Sequence, residues 1–256
     1  MVVMDTSGVC LIAVDYDNAF PPSTSFTAEE VSQRVTRWLQ LLESLLPSIS
    51  QFEVRLYGGW YDDLDLSRRG SEVAAVLPEL PQFPRTLPTG RILRGIIEMA
   101  GAPIFGPTAP LLETYRVRGS LPRVRVAPRP LPDSCTHEAS AACPAMALKS
   151  FTRHGSRECP VPACSSTASD VFVSHEQKMV DTMIATDVVA ASLTPDGYEA
   201  IVVISGDSDF VPPMLTAHRL GEAHIIQICP REDERADRAT ALLEAEGVTV
   251  IEESHE

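Results

Sequence analysis

No stretch of this chain reaches the roughly 20 consecutive apolar residues that span a bilayer, because charges and prolines interrupt every candidate. We therefore expect no membrane partner. No basic flank precedes the first apolar residues, Met1-Val2-Val3-Met4, so we expect no secretory leader and a cytoplasmic location. Basic charge is scarce: 21 Lys and Arg stand against 35 Asp and Glu over 256 residues, a net of −14. The deficit is concentrated, with 18 acidic and 5 basic side chains from Asp170 to Glu256 against 17 and 16 before it. Such a field does not favour broad adhesion to polyanions, but it leaves room for a local basic lane or an acidic cluster neutralised by metal. No internal repeat stands out, and none of the six histidines sits in a recognisable catalytic motif. The 44% hydrophobic content excludes a wholly disordered acidic polymer, and one large core is the expectation at this length.

Residues 9–14 form a short apolar run that stops at Asp15-Tyr16-Asp17-Asn18, as a buried parallel strand does at its carboxyl end. Thr27 followed by Glu30 is a capping-box signature, and Val31, Val35, Trp38, Leu41, Leu42 and Leu45 then form an apolar helical stripe ending near Pro47. Residues 52–57 read as a second strand closed by Gly58-Gly59, completing a βαβ unit with a right-handed crossover. Residues 71–80 and 90–100 read as short helices and 124–127 as a strand. Residues 128–168, rich in Pro, Ser, Ala and Cys, read as an irregular insert. From His175, apolar residues at helical spacing, Met179 and Met183 among them, run to Ser192. Residues 200–204 form the clearest buried strand, ending at Ser205-Gly206-Asp207-Ser208-Asp209. A helix follows over 210–220, with Pro212-Pro213 tolerated only in its first turn. A strand at 224–228, a helix at 232–245 and a strand at 248–251 close the chain. We expect an α/β fold: a single doubly wound, mostly parallel sheet with helices on both faces and an irregular Cys-containing insert.

Asp15 and Asp207 each follow an apolar strand at its carboxyl end, the edge where open α/β sheets bind ligands. Asp209 lies two residues beyond Asp207, and Asp181 early in the preceding helix. Carboxylates gathered there repel one another, and Mg²⁺ or Mn²⁺ removes that penalty while retaining waters that can attack a phosphate. An Asp at a strand end is also a common turn former or helix cap, so these residue types alone do not choose a nuclease over a phosphatase.

Three blocks, Val14-Asp15-Tyr16-Asp17-Asn18, Lys178-Met179-Val180-Asp181 with Asp187 beyond it, and Ser205-Gly206-Asp207-Ser208-Asp209-Phe210, resemble in order the signature blocks of NYN domains, a family of the PIN-like nuclease group. The stretch between Arg85 and Ser169 matches less clearly. The resemblance implies a PIN-like, Rossmann-like three-layer domain and a ribonuclease hydrolysing single-stranded RNA through metal-activated water. It also implies that Asp15, Asp181, Asp207 and Asp209 are the catalytic, Mg²⁺- or Mn²⁺-binding set. Inactive relatives exist. Asp17 and Asn18 would border the site; Ser205, Ser208 and Lys178 would touch phosphate, water or acid. Six helical residues separate Asp187 from Asp181, about 240° of rotation, which puts Asp187 behind the site.

Arg116, Arg118, Arg123, Arg125 and Arg129 fall in a stretch without Asp or Glu and form the candidate RNA lane, with Arg91 and Arg94 as additions. Tyr57, Trp60, Tyr61 and Tyr115 are candidates for stacking on bases, whereas Trp38 and the two helical methionines read as core. Cys10 and Cys229 read as buried small hydrophobes. Cys135, Cys143, Cys159 and Cys164, with His137 as a substitute, can make a structural Zn²⁺ site, although gaps of seven, fifteen and four residues are not a tight knuckle. Unligated thiols and oxidation are the other readings. Alternatives to the nuclease are a catalytically inactive RNA-binding or interaction module and a phosphatase-like hydrolase of small esters. A homodimer stays open.

Overall fold

Residues 9–14 carry apolar side chains toward both faces, and the chain buries them in the middle of a sheet. In the computed structural model, β1 (Gly8–Asp15) sends Cys10, Ile12 and Val14 into one core and Leu11 and Ala13 into another. The structure describes residues 8–22, 26–86, 90–107, 109–118, 144–153, 156–159, 161, 163–172, 174–195, 197–230 and 236–253. After β1 come α1 (Tyr16–Ala19), α2 (Ala28–Leu45), β2 (Ile49–Tyr57), β3 (Tyr61–Asp62), β4 (Asp65–Leu66) and α3 (Arg68–Val76), then β5 (Arg85–Thr86) and β6 (Ile92–Met99). Next are β7 (Tyr115–Arg118), α4 (Pro144–Phe151), α5 (Ala168–Val171) and β8 (Ser174–Gln177). The chain ends with α6 (Val180–Ser192), β9 (Tyr198–Ile204), α7 (Val211–Leu220), β10 (His224–Cys229), α8 (Ala236–Ala245) and β11 (Thr249–Glu252).

The main sheet has the order β11-β10-β9-β1-β2-β6-β5, parallel throughout except for the short β5. From β1 the chain builds outward through β2 and β6, and later from β9 through β10 to β11, so the order turns back between β1 and β9. On one face α2 packs Val31, Val35, Trp38 and Leu42 against β1, β2 and β9. On the other, α6 and α7 place Met183, Ile184, Val188 and Met214 on the same strands, with Leu243 of α8 beside them. The result is a three-layer α/β sandwich with a mostly parallel sheet between helices. Each fully buried Val, Ile or Leu in these cores contributes about 1.5–3 kcal/mol.

The capping box forms: Thr27 Oγ1 accepts from the Glu30 amide at 3.2 Å and Glu30 Oε2 from the Thr27 amide at 2.7 Å. The prolines of α7 occupy its first turn. Residues 90–100, expected as a helix, are instead β6. Ile92, Leu93, Ile96 and Ile97 follow helical spacing, but Gly95 admits a backbone approach to β2 that no other residue allows. A Cβ there would lie 2.0 Å from the Phe52 carbonyl oxygen. The helix expected from His175 starts only at Val180, since residues 174–177 pair as β8 with β7. The strand expected at 124–127 lies outside the described residues.

The chain divides into two compact units, Met1–Thr114 with Gln177–Glu256, and Tyr115–Glu176. The residue range of the insert expected at 128–168 falls inside the second. That unit contains α4, α5 and an antiparallel bridge between Glu158 and Thr167. Among the described residues no helix is long and apolar enough to cross a membrane.

Candidate active site

Asp15 ends β1 and caps α1. Its carboxylate accepts from the Asn18 amide at 3.4 Å and from Ser205 Oγ at 2.9 Å. Ser205, just past β9, is fully buried, and its hydroxyl also accepts from the Asp207 amide at 3.1 Å. One hydroxyl therefore ties the acid ending β1 to the loop that follows β9. Asn18 makes a second tie, its Oδ1 accepting from the Gly206 amide at 2.9 Å. Asp207 Oδ1 accepts from the Asp209 amide at 2.9 Å, capping the 3₁₀ turn Ser208–Phe210.

Asp15 is only 8% exposed. Burial pushes its carboxyl up to about 7 against the pull of the Ser205 and Asn18 hydrogen bonds, and the charges of Asp181 and Asp17 raise it further. Asp181 lies in the first turn of α6. Its carboxyl is raised by partial desolvation and then by the charges of Asp207 and Asp209. Asp15, Asp181, Asp207 and Asp209, drawn from three separated stretches, thus share the carboxyl edge of the sheet, where the strand order turns back between β1 and β9. Met179, the N-cap of α6, has φ 65°, a left-handed conformation rare for a side chain with a Cβ. It is exposed, not core as expected; Met183 is buried.

The neighbouring positions divide by their contacts. Asp17 accepts from Arg69 Nε at 3.0 Å and from Gln177 Nε2, so it anchors α3 and the segment before α6. Burial is the largest influence on its carboxyl and raises it, with Arg69 pulling the other way. Ser208 is exposed on the 3₁₀ turn, and the Lys178 amide donates to the Thr114 carbonyl at 2.8 Å. Asp187 is fully buried on the opposite side of α6 from exposed Asp181, as the helical rotation requires. It accepts from Tyr57 Oη at 2.5 Å, Arg55 Nη1 at 2.9 Å and the Ile104 amide at 2.7 Å. Burial raises its carboxyl more than these partners lower it.

Tyr57 and Trp60 correct an expectation. Both rings are fully buried, Tyr57 bonded to Asp187 and Trp60 Nε1 donating to the Leu56 carbonyl at 3.0 Å, so neither presents a face to a base. An apolar core face and a partner for the polar tip account for both. Arg94 pairs in register with Gln51, and Gln51 with Val9, which places Arg91 and Arg94 toward the amino edge, away from Asp15. Arg116 and Arg118 lie on β7, while Arg123, Arg125 and Arg129 fall outside the described residues, as do Cys135, His137 and Cys143. Cys10 and Cys229 are buried in strands as expected.

Two positioning side chains were missed. Gln227 interrupts the apolar strand β10 and donates to the Ser205 carbonyl at 2.9 Å, and that interruption was the available signal. Arg69 grips Asp17 and lies over the Tyr16 ring at 4.9 Å, for which the local sequence carries no sign. A cleft of about 770 Å³, lined in part by Gly8, Ser192, Tyr198 and Gly221, lies at the opposite edge of the sheet.

Among the described residues no three His, Cys, Asp or Glu side chains converge closely enough, as placed, to hold one ion. The chemistry of the four acids nevertheless fits a hard divalent cation. The donors are all oxygen, and the buried Asp15 carboxyl is raised further by the charges of Asp181 and Asp17. No protein-family model, curated protein or solved structure matches the chain. The likeness to NYN domains rests on the three sequence blocks.

Proposed function

We propose that the chain is a metal-dependent ribonuclease of the NYN type, within a PIN-like fold, that hydrolyses phosphodiester bonds of single-stranded RNA. The observation that carries this reading is that the charge of Asp181 raises the Asp15 carboxyl, and those of Asp207 and Asp209 raise the Asp181 carboxyl, at the turn-back of the strand order. Asp15, Asp181, Asp207 and Asp209 would hold Mg²⁺ or Mn²⁺, which when bound would lower the pKa of the attacking water and neutralise phosphoryl charge. The chain's own residues build the frame. Ser205 fixes one oxygen of Asp15, Asn18 holds Gly206, and Asp207 shapes the turn that carries Asp209.

The test is cleavage of single-stranded RNA, DNA and phosphate monoesters side by side with Mn²⁺. Metal-dependent products are expected from RNA, with Asp207→Asn lowering the rate by more than about 100-fold while the fold persists. Cleavage retained in rigorously purified D207N overturns the assignment; turnover of monoesters alone makes the protein a phosphatase. The second reading is a non-catalytic RNA-binding module. Its mark is RNA binding that survives the same substitution without any product.

A further inference from the structure

One side of β6 is open. On its inner side Arg94 to Met99 pair in parallel with Gln51 to Leu56 of β2. On its outer side the two-residue strand β5 covers only Ile92 and Leu93. Among the described residues no strand lies beyond Arg94–Met99, so this stretch presents a free backbone edge.

Side chains alternate along the strand. Leu93 is buried in the core under α2 and Ile97 packs against it, while Ile92, Arg94, Ile96 and Glu98 share the other face. There Ile92 and Ile96 are 54% and 52% exposed. Edges that avoid self-pairing are commonly blunted by lysine or proline. Residues 94–99 contain neither, and their two charges are of opposite sign, two positions to either side of Ile96.

That spacing is self-complementary. A two-fold axis perpendicular to the sheet runs two β6 strands antiparallel. Because backbone groups alternate sides, the axis must pass beside a residue and not between two. With the axis at Ile96, Arg94 faces the partner's Glu98 at both crossings and Ile96 faces the partner's Ile96. The five paired residues, 94–98, are then ones that β5 leaves free. An axis at Gly95 sets Arg94 against the partner's Ile96, and one at Ile97 sets Glu98 there, so only the Ile96 register joins opposite charges. Arg94 is exposed, and the Glu98 side chain, bonded to Arg55 Nε at 2.9 Å, is still 46% exposed.

We propose that the free edge of β6 is a dimer interface: a second copy of the chain adds its own β6 antiparallel across Arg94–Glu98, joining two seven-stranded sheets. Apolar and opposite-charge neighbours across such a ladder favour pairing, and like charges oppose it. The interface does not depend on the nuclease reading.

The test uses the full chain in about 0.15 M salt, which screens its net charge of −14. Sedimentation equilibrium from about 1 to about 100 µM should show the mass rising from one chain toward two, as suits a small interface. Arg94→Glu and Glu98→Arg each set like charges together at both crossings and should each weaken the dimer by about 10-fold or more. Mixed in equal amounts, the two variants recover opposite charges at both crossings and should associate as tightly as the unaltered chain. Ile96→Lys, at an exposed position, should abolish the dimer and leave the fold intact. Because Glu98→Arg gives up the bond to Arg55 and can misfold, amide exchange on the unaltered chain is an independent readout: residues 94–98 should exchange several-fold more slowly at the higher concentration. A single-chain mass throughout, a dimer unaffected by R94E or I96K, a folded mixture no tighter than its parts, or slowed exchange only outside 94–98 each overturns the proposal. A monomer whose β6 amides are already protected also overturns it and gives the edge to another segment of this chain.

Discussion

Ser205 Oγ donates to Asp15 Oδ2 across 2.9 Å, joining two residues that lie 190 positions apart in the chain. The same hydroxyl accepts from the Asp207 amide, so one side chain coordinates the ends of adjacent strands β1 and β9. A buried carboxylate depends on such donors, and the candidate site inherits its geometry from them.

Ser205→Ala removes this donor and leaves the Asp207 amide without its acceptor. The substitution should cost about 1–3 kcal/mol. The loss should be larger at pH 8, where Asp15 is ionised, than at pH 5, where it is protonated. Urea unfolding of the metal-free chain at the two pH values measures both, and equal losses would remove Asp15 as the reason.

The metal-free chain should lose stability as pH rises. With its folded value near 7 and its unfolded value near 3.8, Asp15 binds its proton more tightly when folded. Its favourable contribution is complete below about pH 4 and declines until about pH 7. Asp15→Asn should flatten that slope and be the more stable protein at pH 8, by about 4 kcal/mol at most. Thermal unfolding in chelator across pH 4–8 checks this, and a D15N variant with the wild-type slope contradicts it.

Asp187→Ala strands Arg55 and Tyr57 in the interior, and breaking such a buried pair costs about 3–5 kcal/mol. If Asp187 is structural, Mn²⁺ affinity in the folded variant should stay within about three-fold of wild type, far less than the 10–100-fold loss that even an outer metal partner produces. Denaturant unfolding and Mn²⁺ titration followed by electron spin resonance separate the two effects. A large fall in affinity with little loss of stability would assign Asp187 to the metal.

Met179→Gly relieves a left-handed conformation at an exposed position and should stabilise the chain by about 1 kcal/mol, offset in part by glycine's greater unfolded freedom. A lowered melting temperature would mean that the Met179 side chain contributes packing that outweighs the strain.

Much of the sheet was legible in advance. Residues 9–14 and 200–204 are apolar on both faces, a pattern that only a central strand accommodates, and the Thr27–Glu30 capping box marks its helix locally. The acids after those strands could be singled out because a parallel strand delivers its carboxyl end to one edge. β6 was misread because spacing of its isoleucines cannot register the close backbone contact at Gly95. Tyr57 and Trp60 were misread because an aromatic side chain looks the same in sequence whether its ring is open or enclosed. Their burial follows from Asp187, 130 residues from Tyr57, and from the packing of the β2 end.

The order of residues by itself determined an α/β chain, its strand ends, and four acids placed where such ends meet, because periodicity and turn chemistry act over a few residues. Tertiary structure decided that β9 lies beside β1, that Ser205 reaches Asp15 and that Asp187 turns inward to Arg55. Those outcomes depend on which distant surfaces exclude water together and which buried polar groups find partners, balances struck only when the whole sheet assembles.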